Sequence, residues 1–207
     1  MLVLAVIIGL FYIFGFSFIP DSLIYVVKII PMLLLIIYAV RLPIAKSNYR
    51  TWLIIGLILC MVGDFTLQWF IIGLLFFLSG HIAYIIAFLS TAKNSRPIWI
   101  TLLITGHALL MIYFIAFAVY QRGDTILAIA IVGYISVILT MGLIAFRTGN
   151  SLAIRAALLF IISDSVLSID RFIISLDMAH IIVMFTYYSA QLLFVLSLSQ
   201  YSANTKK

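Results

Sequence analysis

The chain has 207 residues, of which 66% are hydrophobic and 9% charged, and its mean hydropathy is +1.33. No soluble domain of this size hides so much apolar surface, so lipid must supply part of its solvent, and the length suits one integral membrane domain over 1–207. The formal charge is +6, from twelve bases against six acids, every one of them Asp. These bases sit between apolar runs and form no aromatic-interleaved patch, which points to membrane orientation and away from nucleic acid.

A spanning helix needs about 20 apolar residues. Reading between polar breaks predicts an all-α, polytopic transmembrane bundle with eight spans, at about 2–19, 22–40, 51–68, 71–91, 98–119, 125–146, 152–169 and 177–199. The first stretch, MLVLAVIIGLFYIFGFSFIP, has no basic start and no small-x-small cleavage site, so it is expected to be retained as a span. Residues 51–91 could form one apolar run, but at ~1.5 Å per residue it would be ~60 Å long, about twice the hydrocarbon thickness. A hairpin turning at Gln68-Trp69 is therefore expected.

Eight spans place both termini on one side, together with Arg41, Lys46, Arg50, Lys93, Arg96, Arg147, Arg155, Lys206 and Lys207. The other side keeps Arg122 and Arg171, plus Lys28 if its long side chain snorkels outward. The positive-inside rule then makes both termini cytoplasmic, and the expected location is the plasma membrane of a bacterium. Loops are short, so any chemistry must be built from the helices. No Walker loop, GxGxxG, CxxC or HExxH occurs. Cys60 is the only cysteine. The three histidines fall in three different spans and lack ligand spacing, so no metal or other cofactor is expected.

Four aspartates fall near predicted span ends. Asp64 and Asp164 do not. A charged Asp near mid-span costs roughly 2.5–3.5 kcal/mol even on the lenient insertion scale, so such residues face the bundle interior and are functional candidates. The two surroundings are alike: Gly63-Asp64-Phe65-Thr66-Leu67 and Ser163-Asp164-Ser165-Val166-Leu167. Each Asp lies fourteen residues beyond a loop residue, Arg50 or Asn150, hence ~21 Å above the same face. Two carboxylates of one site would fit, although equal depth alone could be chance.

Polar groups cluster by helical face nearby. His81, Tyr84 and Phe88 share one face of the fourth span, and His180, Met184, Tyr187 and Gln191 one face of the eighth. His107 and Thr105 lie within the fifth. His81 is expected to be deep and His180 near the outer boundary. Helix–helix hydrogen bonding is the commoner role for membrane His and Tyr. Gly56, Gly63, Gly73 and Gly80 read as packing contacts. Ser163 and Ser165 lack a Gly-x-Ser-x-Gly elbow, and mid-helix Ser usually bonds back to its own backbone.

The stretches GDFTLQWFIIGLLFFLSGHIAYIIAF (63–88), LLFIISDSVLSIDRF (158–172) and TYYSAQLLFVLS (186–197) resemble the YhhN-like family of multi-pass membrane proteins, whose characterised members are lysoplasmalogenases. The resemblance rests on Gly63-Asp64, then Gly80-His81 with Tyr84, Ser163-Asp164 with Leu167, and Tyr187 to Gln191, in that order. It implies an eight-span bundle, a lysophospholipid substrate, and an ether hydrolase cleaving the vinyl-ether bond. The products would be a fatty aldehyde and glycerophosphoethanolamine or glycerophosphocholine.

Vinyl ethers hydrolyse by protonation at carbon, which gives an oxocarbenium-like cation that water then attacks. One protonated acid and one anionic base are needed, as in glycoside hydrolysis. Asp64 and Asp164 are the expected catalytic pair, with the division of roles open. His81 and Tyr84 are expected to orient a carboxyl or the substrate oxygen, and Tyr187 and Gln191 to hydrogen-bond glycerol or water. Arg171 is a candidate for the substrate phosphate, against the plainer reading of a solvated loop charge. A transporter using the same aspartates is the alternative, but no Gly/Pro-broken spans occupy matching positions of two halves. An intramembrane aspartyl protease fails, since Met61 stands where its Gly-x-Gly-Asp motif needs glycine and no Tyr-Asp pair occurs. A purely structural bundle leaves both aspartates without a reason.

Overall fold

The computed structural model describes residues 1–93, 95 and 97–204, with side chains as far as Tyr201. Arg96, Lys206 and Lys207, counted above among the bases of the terminal side, lie outside the described residues. The regular secondary structure among these residues is all helical: α1 (Leu2–Phe14), α2 (Ile24–Arg41), α3 (Asn48–Thr66), α4 (Phe70–Leu89), α5 (Ile98–Gln121), α6 (Thr125–Arg147), α7 (Ser151–Phe172) and α8 (Ala179–Asn204).

Seven of these are long and apolar enough to cross a membrane, α2 through α8, with Asp21–Leu23 adding a turn to the start of α2. The expected first span differs. Its helix, α1, has 13 residues, ~20 Å of rise against a hydrocarbon core of ~30 Å. Gly15 interrupts it, its backbone N–H bonding back to the Phe11 carbonyl. A tight turn at Phe16–Phe18 follows, and Pro20 begins the next element. A run that is apolar throughout conceals such a break, because hydropathy does not register backbone geometry.

The hairpin expected within 51–91 is present. α3 stops at Thr66, whose hydroxyl donates to the Val62 carbonyl, and α4 starts at Phe70. The two helices are among the closest neighbours in the bundle, as are α7 and α8. Glycine permits this approach: a Cβ on Gly80 would lie 2.7 Å from Cys60 Sγ and 3.3 Å from the Gly56 carbonyl oxygen. The opposite pairing uses Gly56, against which the Tyr84 ring lies flush. Small residues at a membrane helix interface let backbones come close enough for dispersion to hold them.

The ends of the bundle are unlike each other. At the end carrying Met1 and Tyr201, Arg50 donates to the carbonyls of Ala39, Val40, Leu42 and Ile44, satisfying the last turn of α2 and its connection. Tyr49 pairs with Ser197 at 2.6 Å, and Asn150 both caps α7 and donates to the Ser197 carbonyl. The apolar core runs through Leu53, Leu57, Phe88, Phe160 and Phe194. The outer surface is apolar too, with Ile98, Leu102, Leu103 and Tyr113 of α5 well exposed, as lipid contact demands.

Candidate active site

The end of the bundle opposite Met1 encloses a cavity of about 300 Å³. Its walls are apolar where the turn after α1 contributes Phe16 and where α2, α4 and α8 contribute Ile24, Phe77, Val183 and Met184. Set into those walls are Lys28, Asp64, Asp164, Asp170, His180 and Tyr187. An amphipathic hollow of this kind suits a ligand with a polar head and an apolar chain.

Asp64 reaches the wall because α3 carries it two residues before its last turn ends. It is 1% exposed. Oδ1 lies 3.1 Å from Lys28 Nζ, and Oδ2 accepts a hydrogen bond from the Tyr187 hydroxyl at 2.5 Å. Lys28 therefore does not snorkel outward. Its side chain is 9% exposed and turns into the bundle. Pairing with Asp64 satisfies both charges in place, which a low-dielectric surrounding favours over leaving either alone.

Asp164 lies on α7 and lines the same cavity. Its Oδ2 accepts from the Tyr134 hydroxyl of α6 at 2.7 Å, and Oδ1 has no partner among the described residues. No cation lies within ion-pair distance of it among those residues. Asp164 also lines a second, smaller space of about 30 Å³ between α5, α6 and α7, shared with His107, Tyr134, Ser165 and Ser168. There His107 Nε2 meets Ser165 Oγ at 2.9 Å. The Ser165 hydroxyl donates to the Ile161 carbonyl, so His107 is the donor to Ser165.

The other sequence candidates divide between the wall and what stands behind it. His180, Met184 and Tyr187 line the cavity from one face of α8, and Gln191 lies one turn further on that face, fully buried. His180 is half-buried in the first turn of α8, and its ring packs on Phe16 at 4.3 Å. Tyr84 is also fully buried and donates to Gln191 Oε1 at 2.7 Å. His81 is enclosed by ring edges of Phe160 and Tyr134, with centroids at 4.5 and 5.6 Å. None of His81, Tyr84 and Gln191 is on the cavity wall. Arg171 is not there either: it is exposed, its guanidinium 4.7 Å above the Phe70 ring.

Ser163 donates across to the Val183 carbonyl, joining α7 to α8, while Ser165 bonds within its own helix. Asp170, expected in a loop, belongs to α7, which continues to Phe172. Its Oδ1 accepts from the Leu176 backbone N–H at 2.8 Å, and it lines the cavity.

Lys28 and Tyr134 are the site residues that helical spacing did not single out. A lone lysine seven residues into an apolar run is a signal in itself, because an unpaired ammonium is costly there. Tyr134 carried only a helical-face signal, shared with Ile138, Met141 and Ala145.

The rat Lysoplasmalogenase TMEM86B is 32% identical to this protein over 176 residues, 83% of this chain and 71% of that one. The mouse Lysoplasmalogenase TMEM86B is 33% identical over 175 residues, covering 83% and 73%. A Lysoplasmalogenase homolog of Dictyostelium discoideum is 36% identical over 108 residues, covering 48% and 35%. No solved structure matches. The YhhN family profile matches residues 23–198, which takes in α2 to most of α8 and every ionisable side chain on the cavity wall apart from Tyr12 of α1; the chain belongs to the YhhN family.

Proposed function

We propose that this protein is a lysoplasmalogenase, an integral membrane ether hydrolase that cleaves the vinyl-ether bond of a lysoplasmalogen. Its products are a fatty aldehyde and a glycerophospho-alcohol such as glycerophosphoethanolamine or glycerophosphocholine. The observation that carries the reading is the meeting of Asp64 and Asp164, a hundred residues apart, on the wall of one amphipathic cavity. The names borne by its relatives give the reaction class.

The two carboxyls divide the work of acid and base. Protonation of the alkenyl carbon generates the cation, a water adds to it, and the hemiacetal separates into aldehyde and alcohol. Tyr187 and Tyr134 each fix one oxygen of a carboxyl, which leaves the other oxygen for chemistry or for a charge partner. Tyr84, Gln191 and His81 brace the inner side of that wall. Apolar wall residues such as Phe77, Leu167 and Met184 receive the alkenyl chain. Lipid substrate reaches the site from the membrane, in a single domain with eight membrane segments, both termini cytoplasmic, in a bacterial plasma membrane.

The test uses purified protein in detergent, with aldehyde release from lysoplasmalogen measured beside an ester lysolipid. Aldehyde from the vinyl ether alone, abolished by either Asp64→Asn or Asp164→Asn in protein that still folds, is the expected result. Full activity in either variant would sink the acid–base pair. Ion uptake into liposomes without hydrolysis would replace the enzyme by a transporter.

A further inference from the structure

The two aspartates of the cavity are not equivalent in their partners. Asp64 has a cation 3.1 Å from Oδ1 and a hydroxyl donor on Oδ2, so both oxygens are held as acceptors. Acceptor-only is the hydrogen-bonding character of an ionised carboxylate. Asp164 has a hydroxyl donor on Oδ2, no cation among the described residues, and an Oδ1 left over. That arrangement suits a neutral acid, with the proton on Oδ1 and the acceptor oxygen engaged by Tyr134.

We propose that Lys28 assigns the roles: by pairing with Asp64 it fixes Asp64 as the base and leaves Asp164 as the proton donor to carbon. This inference rests on the aspartate-pair reading above. Lys28 is a positioning residue, acting through Asp64. A buried ion pair is a poor device for stability alone, since apolar residues in its place are often neutral or better. Its placement on the wall of the cavity gives it another use.

The reaction then closes on itself. The Asp164 proton goes to the second carbon of the alkenyl chain, the C=C electron pair forming the new C–H bond. The first carbon becomes the oxocarbenium carbon. Water attacks it and gives its proton to the Asp64 carboxylate. On collapse of the hemiacetal, the bond from that carbon to the glycerol oxygen breaks. The glycerol oxygen takes the proton from Asp64, and the hemiacetal O–H returns its proton to Asp164 as the aldehyde C=O forms. Both carboxyls end as they began, with one water consumed.

Two measurements test this. In the first, Lys28→Gln, Lys28→Met and Lys28→Arg are assayed on lysoplasmalogen and on a phosphate-free 1-alkenylglycerol, with folding checked by thermal melt. Gln keeps a donor without the charge, so one neutral variant remains if Met fails to fold. Expected is a kcat loss of roughly 100-fold or more in the neutral variants, the low end of what a general base contributes. KM should be little changed, the loss should be equal on both substrates, and Arg should retain most activity. A KM rise confined to the phosphate-bearing substrate would make Lys28 a headgroup contact and overturn the proposal.

In the second, azide is added to Asp64→Asn and to Asp164→Asn. An anionic nucleophile traps the cation without needing a base. Consumption of the vinyl ether should recover in Asp64→Asn and not in Asp164→Asn. Recovery in Asp164→Asn alone, or in neither variant, refutes the role assignment. Undiminished activity of either aspartate variant without azide would instead remove the underlying pair.

Discussion

Tyr84 and Gln191 separate a supporting role from a substrate contact. Both are fully buried, the Tyr84 hydroxyl donates to Gln191 Oε1 at 2.7 Å, and neither is on the cavity wall. Tyr84→Phe removes the donor and leaves a buried amide oxygen unpaired. A net protein hydrogen bond contributes about 1 kcal/mol, an orphaned buried acceptor costs about 1–3 kcal/mol, and bonds between membrane helices average nearer 0.6 kcal/mol. A loss of about 1–2 kcal/mol follows, or a Tm lower by roughly 2–8 °C for a chain of this size. KM for lysoplasmalogen should stay within about twofold, because the hydroxyl lies behind the wall. Adding Gln191→Leu removes both partners, so the double variant should lose less than the sum of the two single losses. The assay is a thermal melt in detergent beside steady-state aldehyde release. A tenfold rise in KM for Tyr84→Phe with an unchanged Tm would refute the reasoning and place Tyr84 on the substrate.

Two further outcomes follow from packing and capping. Gly80→Val should destabilise by about 1–3 kcal/mol through overpacking against Cys60, whereas Gly106→Ala, where a Cβ meets nothing within 4 Å, should stabilise by about 0.5–1 kcal/mol; melts of the two variants check the contrast. Arg50→Lys loses the planar fork that reaches four carbonyls and should lower stability by about 1–3 kcal/mol with kcat unchanged, read by melt and turnover on the same preparation.

What could be read from the sequence was what repeats along one helix or is costly in one place. The α3–α4 turn was legible because a 41-residue helix cannot fit a bilayer. Asp64 and Asp164 were legible because a carboxyl in lipid needs a reason. The faces carrying His81 with Tyr84 and His180 with Tyr187 followed from the 3.6-residue period. Partnership was not legible. Lysine in an apolar run has two solutions, to snorkel or to pair, and the partner that decides between them is 36 residues away on another helix. The helical face of Tyr134 gave no sign of its partner, Asp164, which is 30 residues distant on α7. The predicted end of the seventh span also misplaced Asp170. α7 ran past the expected polar boundary to Phe172, and the cavity admitted side chains that a flat interface would have left outside.

The two unlike ends of the bundle bear on how such a site can exist at all. At the end with Met1, Arg50, Tyr49, Asn150 and Ser197 join α2, α3, α7 and α8 by side-chain hydrogen bonds. The cavity lies at the other end, where α1 stops at Phe14 and Asp64 sits in the last turn of α3. Hydrophobic association does not hold helices together in lipid; close packing and interhelical polar bonds must. Those bonds, with the glycine contacts along α3 and α4, hold the helices together away from the hollow, so the other end can line a cavity without the bundle coming apart. The ion pair of Lys28 with Asp64 and the bond from Tyr187 then tie α2, α3 and α8 together across that hollow. The polar groups assigned to the chemistry thus also replace the packing that the cavity removes, so neutralising Lys28 should both slow turnover and loosen this end, while Arg50→Lys loosens only the other.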